Sequence, residues 1–548
     1  MNAATAMNEM KPVTADHADA EPWWRGATIY QVYPRSFADS NGDGIGDLNG
    51  ITDHLDHIAS LGVDGVWISP FFTSPMHDFG YDVADYCGVD PMFGTIEDFD
   101  RLVARAHELG LKVLIDQVYS HTSDENPWFI ESRSSRDNPK ADWYVWHDAK
   151  PDGSPPNNWQ SVFGGPAWTW DARRGQYYMH NFLREQPQFH VHNPEVQDAI
   201  IAVAKFWLDR GVDGFRIDAI NFAMHDPSFR DNPPTTRKVT KTRPFDFQDK
   251  LYNQGHPDIV KFLEKFAAAV RSYPDRFMVA EVGGDDAERE MKLFTAGDNR
   301  LHTAYGFTYL YAPDLTAEVV KDAIRAWPEK GDVDWPSWAF ENHDAPRALS
   351  RWSKGRDAKA FARLKMMLLA SLRGNIFIYY GEELGLPQGE VPFERLVDPE
   401  AIANWPQTLG RDGARTPMPW VKDADQGGFS IAGATGEPLL PMMDTHLPLA
   451  LDVEENDAES NLNWTRAMLR LRDTHPALKL GDIRLIETNH DLIAFERSYG
   501  GETLLCVFNL GDAAAEWSAG DNCTILASSG GATLDHIPPL GCYIARKN

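Results

Sequence analysis

Cysteine is scarce. The 548-residue chain has four, Cys87, Cys506, Cys523 and Cys542, far apart and with no Cys-x-x-Cys pair. That argues against a disulfide-built scaffold and fits a reducing compartment with free, buried thiols. A bridge among the three C-terminal cysteines is the alternative the spacing leaves. Long apolar runs are also missing: no stretch approaches the ~20 residues that span a bilayer. Met1 to Glu21 is polar and Ala-rich, without the apolar centre of a secretory signal. The expectation is a soluble, cytoplasmic protein with no membrane partner and a flexible tail over residues 1–20. Positive charge is in deficit, with 52 Lys and Arg against 81 Asp and Glu, a net charge of −29. Such a surface repels phosphate backbones, so nucleic acid is excluded as a partner. The charge itself serves solubility.

Aromatic residues, in contrast, are plentiful: 18 Trp, 17 Tyr and 28 Phe. Most belong in a core, although flat rings also stack on sugar faces. At this length one core is not enough, and two or three domains are expected.

The chain alternates strands and helices, with polar residues at the strand ends. Strands are expected at Thr28 to Tyr33, Gly65 to Ser69, Lys112 to Asp116 and Val212 to Ile217. Others follow at Phe277 to Glu281, weakly at His302 to Phe307, at Ser337 to Phe340 and at Asn375 to Tyr380. Ile51 to Leu61, Ile96 to Leu109 and Ala199 to Arg210 read as helices between them. Eight such units spell an α/β fold, a (β/α)8 TIM barrel. The alternation lapses after Asp116, in a stretch rich in Trp, Asp, Pro and Gly, which reads as a small domain on a long loop. After about Ala477, short strands with Gly/Asp turns predict a C-terminal antiparallel β-sandwich domain. The division is therefore 21–116 and 186–476 for the barrel (domain A), 117–185 for the inserted, loop-rich domain B, and 477–548 for domain C.

The segment Gly214-Phe215-Arg216-Ile217-Asp218 carries the most chemistry. Arg and Asp two apart on a strand share a face, so the guanidinium can hold the carboxylate ionised. Asp218, Glu281 and Asp344 are expected to end three barrel strands. Side chains at strand C-termini converge at one mouth of a barrel. Cleavage of a glycosidic bond with retention needs two carboxyls ~5–5.5 Å apart. Asp218 beside Arg216 is expected to stay ionised and attack. Glu281, in an apolar run with anionic neighbours, is expected to have a raised pKa and to act as acid and base. Asp344 would bind sugar hydroxyls more tightly as the ring flattens.

These blocks are specific enough to carry a family resemblance. The chain from about Trp23 to its end resembles glycoside hydrolase family 13, the α-amylase family, within its α-glucosidase and oligo-1,6-glucosidase group. Gly214 to Asp218 resembles the nucleophile block, Val279-Ala280-Glu281 the acid/base block and Asn342-His343-Asp344 the stabiliser block. Asp116 to His121 resembles the Asp-x-x-x-Asn-His block, with Ser120 in place of Asn. Asn375-Ile376 stands where Thr-Pro is common, and Gln186-Pro187-Gln188-Phe189-His190 where the group has Gln-Pro-Asp-Leu-Asn.

The resemblance implies roles for further residues. Asp78 would bind the non-reducing glucose, Tyr81 stack beneath it and Arg411 pair with Asp78 across the sugar. His121, Phe163, Arg216 and His343 would line the same pocket. Asp39, Asn41, Asp43, the carbonyl of Ile45 and Asp47 match the group's calcium or magnesium loop. Their alternate oxygen ligands, with Gly44 at the sixth position, look like the start of an EF-hand loop, but Gly50 stands where that loop has its Glu. Ala219 sets linkage: in this group Val after the nucleophile goes with α-1,6 cleavage and a smaller residue with α-1,4. The implied protein is a retaining, exo-acting α-glucosidase on short α-1,4 glucosides such as maltose, able to transfer glucose as well as hydrolyse. It would be a monomer or homodimer, with a structural Ca2+ or Mg2+ and no organic cofactor. An oligo-1,6-glucosidase, or an isomerase or transglucosidase of the same family, is the alternative. A non-catalytic relative is disfavoured by the full acid set.

Overall fold

Eight strands form one parallel sheet: Thr28–Val32 (β1), Gly65–Ile68 (β2), Lys112–Val118 (β3), Gly214–Asp218 (β4), Phe277–Val282 (β5), Thr303–Gly306 (β6), Ser337–Ala339 (β7) and Asn375–Tyr379 (β8). Pairing runs β6-β5-β4-β3-β2-β1-β8-β7. A parallel bridge between Ala304 and Pro336, with the Ser337 hydroxyl bonded to Thr303 at 2.9 Å, joins β6 to β7 and closes the barrel. The computed structural model describes residues 21–238, 241–331, 334–406, 410–488, 491–518 and 522–548. The expected tail, 1–20, lies outside the described residues.

The strand period of two sorts each barrel strand into an outer and an inner row. Outward residues such as Val66, Ile115, Ile217 and Ala280 join the main core, together with residues of helices Ile96–Glu108, Pro194–Asp209 and Ile259–Arg271. Inward residues make a second core of Ile29, Trp67, Leu114, Val279, Tyr305, Ala339 and Phe377. The barrel is thus filled by side chains. Its interior is tight: a Cβ on Gly214 would lie 2.4 Å from the carbonyl oxygen of Phe277.

Two residues further along, the inner row turns polar. Ile29 gives way to Gln31, Leu114 to Asp116, Gly214 to Arg216 and then Asp218, and Val279 to Glu281. Asp116 is opposite Arg216 in the β3–β4 register. The same alternation that fills the barrel therefore stacks a polar layer on its C-terminal end.

Several boundaries differ from expectation. Strand β3 continues two residues past Asp116, so that acid lies within the strand. Asp344 does not end a strand. It sits in the loop after β7, where Asn342 Oδ1 accepts its N–H at 2.9 Å. The single helix expected over Ile51 to Leu61 is two, Leu48–Asp53 and Leu55–Ser60, broken at His54. The helix before β4 starts earlier than expected because Asn193 caps it, accepting from Glu195 N, with Pro194 at the first turn.

Between β3 and the Pro194–Asp209 helix, short strands Trp146–His147, Gln176–Met179 and Trp168–Asp171 form a small antiparallel sheet. Its core of Val145, Trp159, Ala167, Trp168 and Met179 packs against Phe229 and Tyr252, which come from the long loop after β4. At the C-terminus, Asp482–Ile486, Leu492–Tyr499, Glu502–Asn509, Cys542–Lys547 and Cys523–Ser529 make a five-stranded antiparallel sheet. A two-stranded pair, Ala515–Glu516 with His536–Ile537, contributes Ala515 and Ile537 to a core shared with one face of that sheet. All four cysteines are free thiols.

Candidate active site

The polar layer is organised by one guanidinium. Arg216, fully buried, touches three carboxylates: Asp218 at 2.6 Å, Asp116 at 2.8 Å and Glu281 at 2.5 Å. Its Nε also donates to Tyr305 Oη at 3.0 Å, and its carbon lies 4.9 Å from the Trp67 ring centroid. Asp218 and Glu281 contact the two different Nη atoms. One planar fork therefore fixes the spacing between their nearest oxygens.

The two acids are not held equally. The Asp218 contact is an aligned hydrogen bond, whereas the Nη2 facing Glu281 has no aligned acceptor. Glu281 receives only long bonds, 3.3 Å from Ala219 N and 3.4 Å from Tyr305 Oη. Burial pushes Asp218 up to about 7, against the pull of Arg216. Burial likewise pushes Glu281 up to about 7, opposed by Arg216 and reinforced by Asp218. A single cation shared by three acids only partly offsets the burial of each. The aligned bond favours the charged form on Asp218 and leaves the proton on Glu281.

Asp344 is the acid that stays fully ionised. Burial opposes its charge, but His343, Arg415 and Arg411 outweigh burial and hold it well below the usual carboxylate range. Burial pushes His343 itself down to about 3, so at neutral pH the arginines do this work. Arg415 contacts Asp344 at 2.7 Å and Arg411 at 3.5 Å.

The inner end of the site is braced across the chain. Arg411 meets Asp78 at 2.8 Å and Asp398 at 2.8 Å, with its carbon 5.2 Å from the Phe163 ring centroid. Gln186 donates to Asp78 at 3.0 Å and lies 3.1 Å from His121 Nε2. Tyr81 stacks on His343 with centroids 5.3 Å apart, bonds to its Nε2 at 2.6 Å and donates to Asp116 at 3.0 Å. The residues named for the site in the sequence thus come together. Asp78, Tyr81, His121, Phe163, Asp218, Ala219, Glu281, Asp344 and Arg411 line one cavity of about 610 Å³, while Arg216 and His343 sit directly beneath them.

Residue-by-residue reading missed Asp398, Gln186, Arg415 and Tyr305, which act on the lining from behind. It also missed the outer wall of Arg243, Phe245, Phe307, Tyr311 and Glu400. Arg415 stands only four residues after Arg411, so its place beside that arginine was within reach of the sequence.

Residues 31–481 match the alpha-amylase catalytic domain. The chain belongs to the alpha-amylase family. It is 52% identical over 507 residues to a probable alpha-glucosidase of Rhizobium meliloti, covering 90% of each chain. It is 36% identical to an oligo-1,6-glucosidase of Heyndrickxia coagulans, covering 89% of this chain and 92% of that one. Among solved structures it resembles an alpha-glucosyl transfer enzyme, XgtA, at 46% identity and a TM-score of 0.91, covering 96% of this chain and all of the other.

For this alpha-amylase family member, two further details bear on the site. Ala219 has φ of +36°, in the left-handed region, which turns its N–H toward Glu281. A branched side chain is strained there. In the loop Asp39–Asp47, Asp39 already accepts from Asn41, Gly42 and Gly44 amides and from Ser430 Oγ, while Asn41 and Asp43 oxygens each accept one amide. The donor set is all oxygen, which suits a hard cation. Asp47 likewise accepts from Ser40 N, Ser40 Oγ and Gly50 N, so spare acceptor capacity lies with Asn41, Asp43 and the Ile45 carbonyl rather than with Asp39 or Asp47. Among the described residues no helix is long and apolar enough to cross a membrane.

Proposed function

We propose that the protein is a retaining, exo-acting α-glucosidase that releases α-glucose from the non-reducing end of short α-glucosides. The observation that carries this is Arg216 holding Asp218 and Glu281 at its two ends, with Asp344 ionised beside them. Asp218 attacks the anomeric carbon while Glu281 gives its proton to the leaving oxygen. Glu281, now a carboxylate, takes a proton from water as that water displaces Asp218. Asp344 binds hydroxyls of the flattening ring, and burial makes that bond strong. Asp78, Arg411 and His121 close the inner end, which admits one glucose and stops a chain from threading through.

Linkage preference rests on Ala219, whose small side chain leaves room for the next sugar in the α-1,4 direction. A second reading, transfer of glucose to an acceptor other than water, is supported by the likeness to XgtA and by the wide outer wall. The loop Asp39–Asp47 is proposed to take Ca2+ or Mg2+ through Asn41, Asp43 and the Ile45 carbonyl, with Asp39 and Asp47 shaping the turn. Four free thiols suit a cytoplasmic location.

A substrate panel tests this: maltose, isomaltose, kojibiose, sucrose, trehalose and starch, with product anomers followed by NMR. Release of α-glucose from the disaccharides, fastest from maltose, with little action on starch, is the expected result. First-formed β-glucose, or rapid internal cleavage of starch, contradicts it.

A further inference from the structure

Behind the site wall the chain gathers histidines that the chemistry above does not use. His192 precedes the Pro194–Asp209 helix, and His256 and Asp258 precede the Ile259–Arg271 helix. Each of the three can place one ligand atom within 4.8 Å of the other two, and all are half-buried. The rings of His192 and His256 lie 5.0 Å apart at 79°. No other triad of His, Cys, Asp or Glu among the described residues meets that condition.

One further observation points to a ligand. His192 Nε2 bonds to the backbone carbonyl of His225 at 2.8 Å. Metal-bound imidazoles are oriented this way, one nitrogen donating to a carbonyl and the other left with its lone pair.

We propose that His192, His256 and Asp258 bind a borderline divalent cation of the Zn2+ type, with water completing a four-coordinate shell. Two imidazoles and one carboxylate are a zinc donor set and a poor one for Ca2+ or Mg2+, which take oxygen. The ion would staple the end of the inserted segment to the long loop after β4. That loop supplies Asn221 and Gln254 to the cavity, and Gly255 N bonds to Asn221 O at 2.7 Å. The staple therefore lies one turn of chain behind the active-site wall.

The test uses the full chain, stripped by chelator and titrated calorimetrically with Zn2+, with Co2+ as a visible-absorbing substitute. One Zn2+ per chain is expected, with a rise in melting temperature that saturates at one equivalent and Co2+ bands of nitrogen ligation. His256→Ala and Asp258→Asn, both at half-buried positions, should each weaken binding at least tenfold, whereas Asp43→Asn in the oxygen loop should leave the titration unchanged. Absence of stoichiometric Zn2+ binding, or equal binding in all three variants, overturns the proposal.

Discussion

The two ends of the cavity are built differently. At the inner end, Asp78, His121, His343 and Arg411 are buried and cross-bonded to partners far along the chain, from His121 to Gln186 up to Arg411 to Asp78. At the outer end, Arg243 and Glu400 meet at 3.2 Å, but Tyr311 in the same wall is 52% exposed. A buried, paired site can reject a sugar that lacks one hydroxyl, because its own polar groups would be left bare. A half-exposed rim with few fixed partners cannot. The contrast assigns selectivity for glucose to the inner end and tolerance of the partner molecule to the outer end.

The most damaging change should be Asp218→Asn, with kcat falling by about 10⁴ or more. Glu281→Gln should melt higher than the parent at pH 8. An acid whose folded pKa is raised gives stability below its unfolded pKa of about 4, and that stability is lost as pH rises through about 7. Removing the titrating carboxyl removes that loss, which calorimetry at pH 5 and pH 8 would reveal. A Glu281→Gln variant that melts lower than the parent at pH 8 would contradict a protonated Glu281.

Next comes the inner brace. Arg411→Ala strands Asp78 and Asp398 and should lower kcat/KM for maltose by about 10²–10³ (~3–4 kcal/mol). Arg243→Ala at the rim should cost less than tenfold and shift the ratio of transfer to hydrolysis. Equal losses in steady-state assays would erase the contrast between the two ends.

A subtler effect concerns pH. Glu281 must carry a proton to act, so kcat/KM should fall as pH rises through about 7. With a substrate whose leaving group needs no proton, Glu281→Gln should retain the glucosylation step and lose that alkaline limb. A limb that persists in the variant would move the acid elsewhere.

Smaller still, Ala219→Val should shift the maltose-to-isomaltose rate ratio toward isomaltose. The left-handed backbone at that residue adds a stability cost of about 1–2 kcal/mol. An unchanged ratio would remove Ala219 from the linkage argument. Adding Ca2+ to chelator-treated protein should raise the melting temperature by a few degrees through the Asp39–Asp47 loop. No change would mean that the turn is satisfied by its own amides.

What could be read from the chain follows from how local each signal is. Asp218 and Arg216 share a strand face, so two positions suffice to pair them. The eight strands show as apolar runs with polar ends. Asp398 gives no such sign, since its partner Arg411 matters only through Asp78, 333 residues from that arginine. Gln186 reaches Asp78 only once the inserted segment has folded back over the barrel. The raised pKa of Glu281 followed from its apolar run and anionic neighbours, whereas the upward push on Asp218 was hidden, because sequence shows a neighbouring cation but not how many acids divide it. Asp344 was assigned to a strand end that the strand does not reach. The loop after β7 carries it there instead, and Arg415 and Arg411 fix it.

The central claim is that Asp218 forms a bond to glucose while Glu281 handles the proton. A slow fluorinated α-glucosyl substrate, followed by peptide mass mapping of the trapped protein, tests it most directly. The expected result is one glucosyl label per chain on the peptide containing Asp218. A label on any other residue, or stoichiometric turnover with no covalent adduct under conditions that trap retaining enzymes, would contradict it.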